Sequence, residues 1–200
     1  MTYKAILYEV EDNILTITLN RPDRLNAYNV DMQNDLITAF NEADKDDDIK
    51  AIIVTGAGRG MGRSIALKLS GDGATVIAND ISSGSAQETA DLINSRGGRC
   101  LAKAGDVSDV SFVDSMVKQS VSECGPVNIL INNAGVLRPT GITDISLSEW
   151  EFVINGNLTT TFVCTKALIP IMAESGWGRI VNFSSTAGKN VSTTGGAHYT

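Results

Sequence analysis

The sequence predicts an α/β fold built on a doubly wound parallel sheet, and three observations carry that expectation. From residue 51 onward, short apolar runs alternate with amphipathic stretches. An eight-residue turn rich in glycine, Thr55-Gly56-Ala57-Gly58-Arg59-Gly60-Met61-Gly62, joins the first such run to the first such stretch. Polar groups suited to a ligand then recur at the ends of successive runs. Strands covered on both faces read as short continuous apolar runs, and their alternation with helices implies right-handed βαβ crossovers.

The expected strands are Ala51–Thr55, Thr75–Asn79, Cys100–Lys103, Val127–Ile131 and Arg179–Phe183. The expected helices are about Gly60–Leu69, Ser85–Ser95, Val110–Glu123 and Leu147–Ala173. The last is long enough for two helices or one bent helix, with Asn155-Gly156-Asn157 in its middle. Before residue 51 the pattern differs. Tyr3–Val10 and Ile14–Leu19 flank Glu11-Asp12-Asn13 and predict a β-hairpin. Asn20–Arg24 reads as a loop, and Val30 to about Ala43 as a helix with Met32, Leu36, Ile37 and Phe40 near one face. Asp44–Asp48 reads as a solvated connection. Two units are therefore expected, residues 1–50 and 51–200.

Two hundred residues, 42% hydrophobic and 20% charged, suffice for a real core. A net charge of −7 argues against nucleic acid or an anionic membrane as partner. No apolar run approaches the roughly 20 residues that a membrane span needs, and the N-terminus lacks the apolar core of a signal peptide. Cys100, Cys124 and Cys164 are far apart, form no C-x-x-C pair, and have a single histidine, His198, for company. Reduced cysteines, no metal site and a cytoplasmic location are the expectations.

A strand, a glycine turn and a helix in that order form a phosphate cradle, because a helix N-terminus offers unpaired N–H groups and a positive dipole end. Asp80 closes the second apolar run, where a carboxylate accepts bonds from ribose hydroxyls and repels a 2′-phosphate. That favours NAD. Arg59 in the turn would welcome such a phosphate and keeps NADP as the alternative. Asp106-Val107 follows the third run and Asn132-Asn133-Ala134-Gly135 the fourth. The expected cofactor-binding residues are Thr55, Gly56, Arg59, Gly60, Met61, Gly62, Asp80, Asp106, Val107, Asn133, Ala134 and Gly135, on a Rossmann-like sheet.

As a set, these strand ends resemble the short-chain dehydrogenase/reductase family over about residues 52–200. The resemblance continues through Asn157-Leu158 and Gly178-Arg179-Ile180-Val181-Asn182-Phe183-Ser184-Ser185. It implies an oxidoreductase of a hydroxyl/ketone pair, with a small alcohol or ketone as substrate and an acyl thioester among the candidates. A homo-oligomer is compatible with it. By resemblance Tyr199 exchanges a proton with the substrate, Ser185 (with Ser184 as the alternative) positions the substrate oxygen, and Asn157 supports a relay water. A phenol of pKa about 10 is a poor base near neutrality without a nearby cation. The family's lysine, four residues past the tyrosine, would fall beyond Thr200, so the domain is expected to be C-terminally incomplete and to turn over little or not at all. Tyr199 is expected to be frayed, His198 to be a substrate-loop side chain, Trp150 and Phe162 to be core or subunit contacts, and Cys164 a packed small residue.

The first fifty residues resemble a different family. Leu19-Asn20-Arg21-Pro22, then Leu25-Asn26-Ala27, is similar to the N-terminus of enoyl-CoA hydratases and isomerases (crotonases) over about residues 3–55. That resemblance would bring the Arg24–Ala27 loop near a CoA. Hydration also needs two N–H donors at the thioester oxygen and acid/base carboxylates, and none can be assigned here. The hairpin and helix are expected to pack on the sheet, with the seam between the two fragments at Val54–Arg59.

Overall fold

The computed structural model describes residues 3–11, 14–19, 30, 31, 34, 35, 37, 38, 51–188 and 195–199. Strands β1 (Ile6–Glu11) and β2 (Ile14–Leu19) pair antiparallel, Ile6 opposite Leu19 and Glu11 opposite Ile14. The expected hairpin is present, its first strand starting three residues later than Tyr3. Residues 30, 31, 34, 35, 37 and 38 are helical, and Asp35 accepts the Lys4 and Ala5 N–H groups at 2.8 and 2.6 Å. The rest of the helix expected to Ala43, the Asp44–Asp48 run and the Arg24–Ala27 loop lie outside the described residues.

From residue 51 the chain builds β3 (Ala51–Val54), α1 (Gly60–Gly71), β4 (Thr75–Asp80), α2 (Ser83–Ser95), β5 (Arg99–Ala104), α3 (Val110–Cys124) and β6 (Val127–Asn132). It continues through α4 (Leu147–Ile154), a π-helical turn (Asn155–Thr159), α5 (Thr160–Glu174) and β7 (Arg179–Asn182). The five strands β3 to β7 form one parallel sheet in the order β5-β4-β3-β6-β7. Every strand and helix expected after residue 51 is present, with ends shifted by one or two residues. The long pattern Leu147–Ala173 is neither a plain bend nor two separate helices. A single π turn joins its halves, because Thr160 N–H reaches back to the Asn155 carbonyl.

Alternation along β3 assigns the two faces. Ile52 and Val54 pack with Ala66 of α1 and with Ala90 and Ile93 of α2. Ala51 and Ile53 pack with Val113, Met116 and Val117 of α3 and with Val163, Cys164 and Leu168 of α5. Burying a side chain of this size contributes about 1.5–3 kcal/mol, and all four β3 residues are fully buried. Polar side chains mark where three of the helices begin. Ser82, Asp109 and Ser146 each accept an N–H from the first turn of α2, α3 and α4. In the last case Glu149 stands three residues on, as in a capping box.

The strand order reverses between β3 and β6. After β3 the chain moves outward to β4 and β5; it then crosses back to add β6 and β7 on the other side. In such sheets the crevice outside the carboxyl ends at the reversal is where ligands bind.

Candidate dinucleotide site

The carboxyl ends of β3 and β6 are knitted together by one hydroxyl. Thr55 Oγ1, buried, accepts the N–H groups of Asn133 and Ala134, both at 3.0 Å, and Thr55 N–H donates to the Ile131 carbonyl at 3.0 Å. Asn133 returns the tie through its side-chain amide, which donates to the carbonyls of Thr55 (3.1 Å) and Gly56 (3.2 Å). Thr55 and Asn133 thus support the turn, through the Thr55 hydroxyl and the Asn133 amide nitrogen bonded to backbone.

The glycines above them serve different needs. Gly56 has φ +61°, and a Cβ there would lie 3.0 Å from the Ala134 Cα. A Cβ on Gly62 would sit 2.2 Å from the Gly56 carbonyl oxygen, so α1 approaches the turn as closely as backbone allows. A Cβ on Gly58 would meet the Asp80 carboxylate at 2.5 Å. Gly60, at φ +54°, faces open space, with nothing within 4 Å. Helix α1 begins with an extended residue, Arg59, and no side chain caps it. No acidic residue occupies its first turn, so the N–H groups and the positive dipole end are left for an anion. Arg59 and Met61 are exposed at the rim.

Asp80 is tied to this turn. Its Oδ2 accepts the Gly58 N–H at 2.9 Å and its Oδ1 the Ser82 N–H at 3.0 Å. Two further side chains, missed in the sequence, hold the turn from behind. Thr89 Oγ1 donates to the Ala57 carbonyl at 2.9 Å, and Arg63 Nη2 donates to the Gly58 carbonyl. Thr89 carried a readable signal, a polar residue inside the apolar stripe Ala86, Ala90 and Ile93 of α2. Arg63, five residues past Gly58 at the start of α1, carried none.

At the third strand end, Asp106 is exposed and accepts the Ser108 N–H at 2.8 Å. Val107 is 4% exposed and its side chain belongs to the core facing α3 and α5. As a cofactor contact it therefore has only its backbone to offer. Ala134 is half-buried and Gly135 exposed; a Cβ on Gly135 would meet the Asn157 side-chain oxygen at 2.9 Å. Asn157 stands in the π turn, bonded to Val136 and Val153.

Ser185 is half-buried after β7 and accepts the Ala187 N–H at 3.2 Å. Tyr199 is half-buried, and its N–H donates to the Gly196 carbonyl at 2.9 Å. The neighbouring His198 ring is fully buried, with Nε2 3.1 Å from Glu149 and the plane stacked 6.4 Å from Trp150. His198 thus anchors its segment to α4. Among the described residues no hydrogen bond links Tyr199 to Ser185 or Asn157.

Trp150 and Phe162 are 43% and 60% exposed, so neither is core. Burial pushes the Cys100 thiol up to about 11 and Cys164 up to about 12, which keeps both inert near neutrality. Among the described residues no group of three or more His, Cys, Asp or Glu assembles for a metal, and no helix is long and apolar enough to cross a membrane.

Comparison with known proteins places this geometry. The short chain dehydrogenase family profile matches residues 50–200, and that of enoyl-CoA hydratase/isomerase matches residues 9–64. A (2S)-[(R)-hydroxy(phenyl)methyl]succinyl-CoA dehydrogenase subunit from Thauera aromatica is 39% identical over 138 residues, 69% of this chain and 56% of that protein. A 3-oxoacyl-[acyl-carrier-protein] reductase from Synechocystis is 37% identical over 68% of this chain and 56% of its own. The crystal structure of a 3-oxoacyl-[acyl-carrier protein] reductase with bound NAD from Brucella melitensis superposes with a TM-score of 0.71 at 33% identity. It covers 75% of this chain and 58% of that one. The chain thus spans 56% of the length of these curated relatives.

Proposed function

This chain belongs to the short-chain dehydrogenase family, and on that premise we propose that it carries the NAD-binding half of an oxidoreductase acting on a hydroxyl/ketone pair. The observation that carries the cofactor choice is Asp80. Its carboxylate is fixed at the rim of an uncapped helix N-terminus by the Gly58 and Ser82 N–H groups, each through one oxygen. A carboxylate oxygen has capacity for more than one such bond, so the group can still accept from vicinal ribose hydroxyls. It would repel a 2′-phosphate. The residues present fit a dinucleotide: the open side of Gly60 leaves room for a pyrophosphate, and the free N–H groups of α1 favour its charge. NADP is the second reading, supported by the exposed Arg59 beside the same rim.

Bound there, the nicotinamide supplies hydride exchange. The chain's own residues would supply the rest. Ser185 would hold the substrate oxygen, its hydroxyl aligned by the Ala187 N–H that it accepts. Tyr199 would give or take the proton at that oxygen. Asn157 would keep the loop after β6 in place beneath it. The proposed substrate is a 3-hydroxyacyl or 3-oxoacyl thioester. The relatives' names support that class, one a CoA thioester dehydrogenase and one a reductase of carrier-protein thioesters.

Calorimetric titration of NADH, NADPH and CoA against the chain tests the proposal. NADH is expected to bind more tightly than NADPH, and Asp80→Ala to abolish that preference. Binding of CoA alone, with neither dinucleotide, would overturn it.

A further inference from the structure

We infer that Arg63 is a positioning residue of the dinucleotide cradle, setting two successive peptides of the glycine turn and through them the carboxylate of Asp80. The inference rests on the reading of that turn as a nicotinamide-dinucleotide site. Arg63 lies in the first turn of α1, and its guanidinium serves three acceptors at once. Nη2 donates to the Gly58 carbonyl and to Glu88 Oε2 (2.9 Å), and Nε donates to Thr89 Oγ1 (3.0 Å). The first bond holds the Gly58–Arg59 peptide directly. In a trans peptide the N–H points opposite to the carbonyl. Holding the Gly58 carbonyl on the Arg63 side therefore sends the Arg59 N–H the opposite way.

The Nε bond works one peptide earlier. Thr89 is fully buried, and its single hydroxyl proton is directed at the Ala57 carbonyl (2.9 Å) or the Ser85 carbonyl (3.2 Å). By occupying a lone pair of that oxygen, Arg63 leaves the proton to the carbonyls. The Ala57–Gly58 peptide then has its carbonyl held by Thr89 and its N–H held by Asp80 Oδ2 at 2.9 Å. Asp80 cannot turn without that peptide, and a Cβ on Gly58 would leave no room for the carboxylate at all. The fork geometry of a guanidinium, with donors at fixed angles, suits this triple task, and an ammonium cannot reproduce it.

A purely structural arginine would, when removed, weaken every ligand of the turn alike. A residue that positions Asp80 would weaken the ligand that Asp80 selects more than the one it repels. The test is fluorescence titration of NADH and NADPH into the full chain, its Arg63→Gln variant and its Arg63→Lys variant, each checked by circular dichroism melting.

Arg63→Gln is expected to weaken NADH about tenfold, the equivalent of one bond to a charged group, and NADPH by clearly less, so that the preference narrows. Arg63→Lys should fall between. Equal losses for both cofactors, or NADH affinity within about twofold of the parent, would overturn the inference. If Arg63→Gln does not fold, Thr89→Val carries the same comparison. It removes the hydroxyl at nearly constant volume, and the same narrowing or its absence decides the matter. A parent chain that binds neither dinucleotide would overturn the underlying reading of the site, a result distinct from any behaviour of the variants.

Discussion

The Asn157 side chain grips the backbone of Val136 from both sides: its Oδ1 accepts the Val136 N–H at 2.9 Å and its Nδ2 donates to the Val136 carbonyl at 2.8 Å. The same Nδ2 reaches the Val153 carbonyl at 2.8 Å. One carboxamide therefore joins the loop after β6 to the turn between α4 and α5. Asn157→Asp keeps the shape and loses both donations, so it separates hydrogen bonding from volume. Asn157→Asp and Asn157→Ala are each expected to destabilise by about 2–3 kcal/mol, read as a lower urea midpoint at unchanged slope.

The hydroxyl of Thr55 makes a sharper demand. Thr55→Val would leave the Asn133 and Ala134 N–H groups without their acceptor at a buried position. Each orphaned donor costs about 1–3 kcal/mol, which sums to about 2–6 kcal/mol for the pair. Thr55→Ser keeps the oxygen and should lose less than about 1.5 kcal/mol for the missing methyl. Equilibrium denaturation of the two variants side by side checks the ordering.

Two glycine-to-alanine changes in the same turn should behave oppositely. At Gly62 the new methyl meets a backbone carbonyl oxygen at 2.2 Å, which cannot swing aside. At Gly60 it meets nothing, and only the positive φ is penalised. Gly60→Ala is expected to cost about 1–2 kcal/mol and to fold. Gly62→Ala should give little soluble, cooperatively melting protein, as thermal scans would show.

The thiols set a pH dependence. Burial raises Cys100 from 9.0 to about 11 and Cys164 to about 12. The unfolded chain therefore releases these protons first as pH rises, and stability is fully present below pH 9, then lost progressively between about 9 and 12. Maleimide labelling of the native chain should reach half-buried Cys124 first. Cys100 and Cys164 should react only on unfolding, as mass spectrometry of peptides from the native and the urea-treated chain would reveal.

How much of this was legible depends on the distance over which each feature speaks. The strands and helices after residue 51 were readable because their apolar period is local, and the same holds for the glycine turn and for Asp80 at a strand end. The π turn was half-legible. Asn155-Gly156-Asn157 marks a weak point in a helical pattern, but a backbone offset of one residue has no compositional signature. The contact between Glu149 and His198 joins positions 49 apart, and nothing local to either announces it. Tyr199 was expected to fray because it stands beside the last residue, and the contact that its neighbour His198 makes with Glu149 gives no local sign. Val107 fell to the core because the strand end turns it inward, which a dipeptide pattern cannot convey.

The π turn at Asn155–Thr159 also bears on how this region tolerates changes in length. A π turn contains one residue more than the α turn it replaces, and the surplus is absorbed on the spot. Val163, Cys164, Leu168 and Met172 of α5 still meet the sheet as they would in an uninterrupted helix one residue shorter. A single deletion inside the turn would heal it into regular helix and leave that apolar face in register. A deletion anywhere in α5 would instead rotate the face by about 100°. What such a deletion would change is the place of Asn157, whose carboxamide holds Val136. The extra residue is thus spare for the packing of α5 and matters instead at the loop after β6.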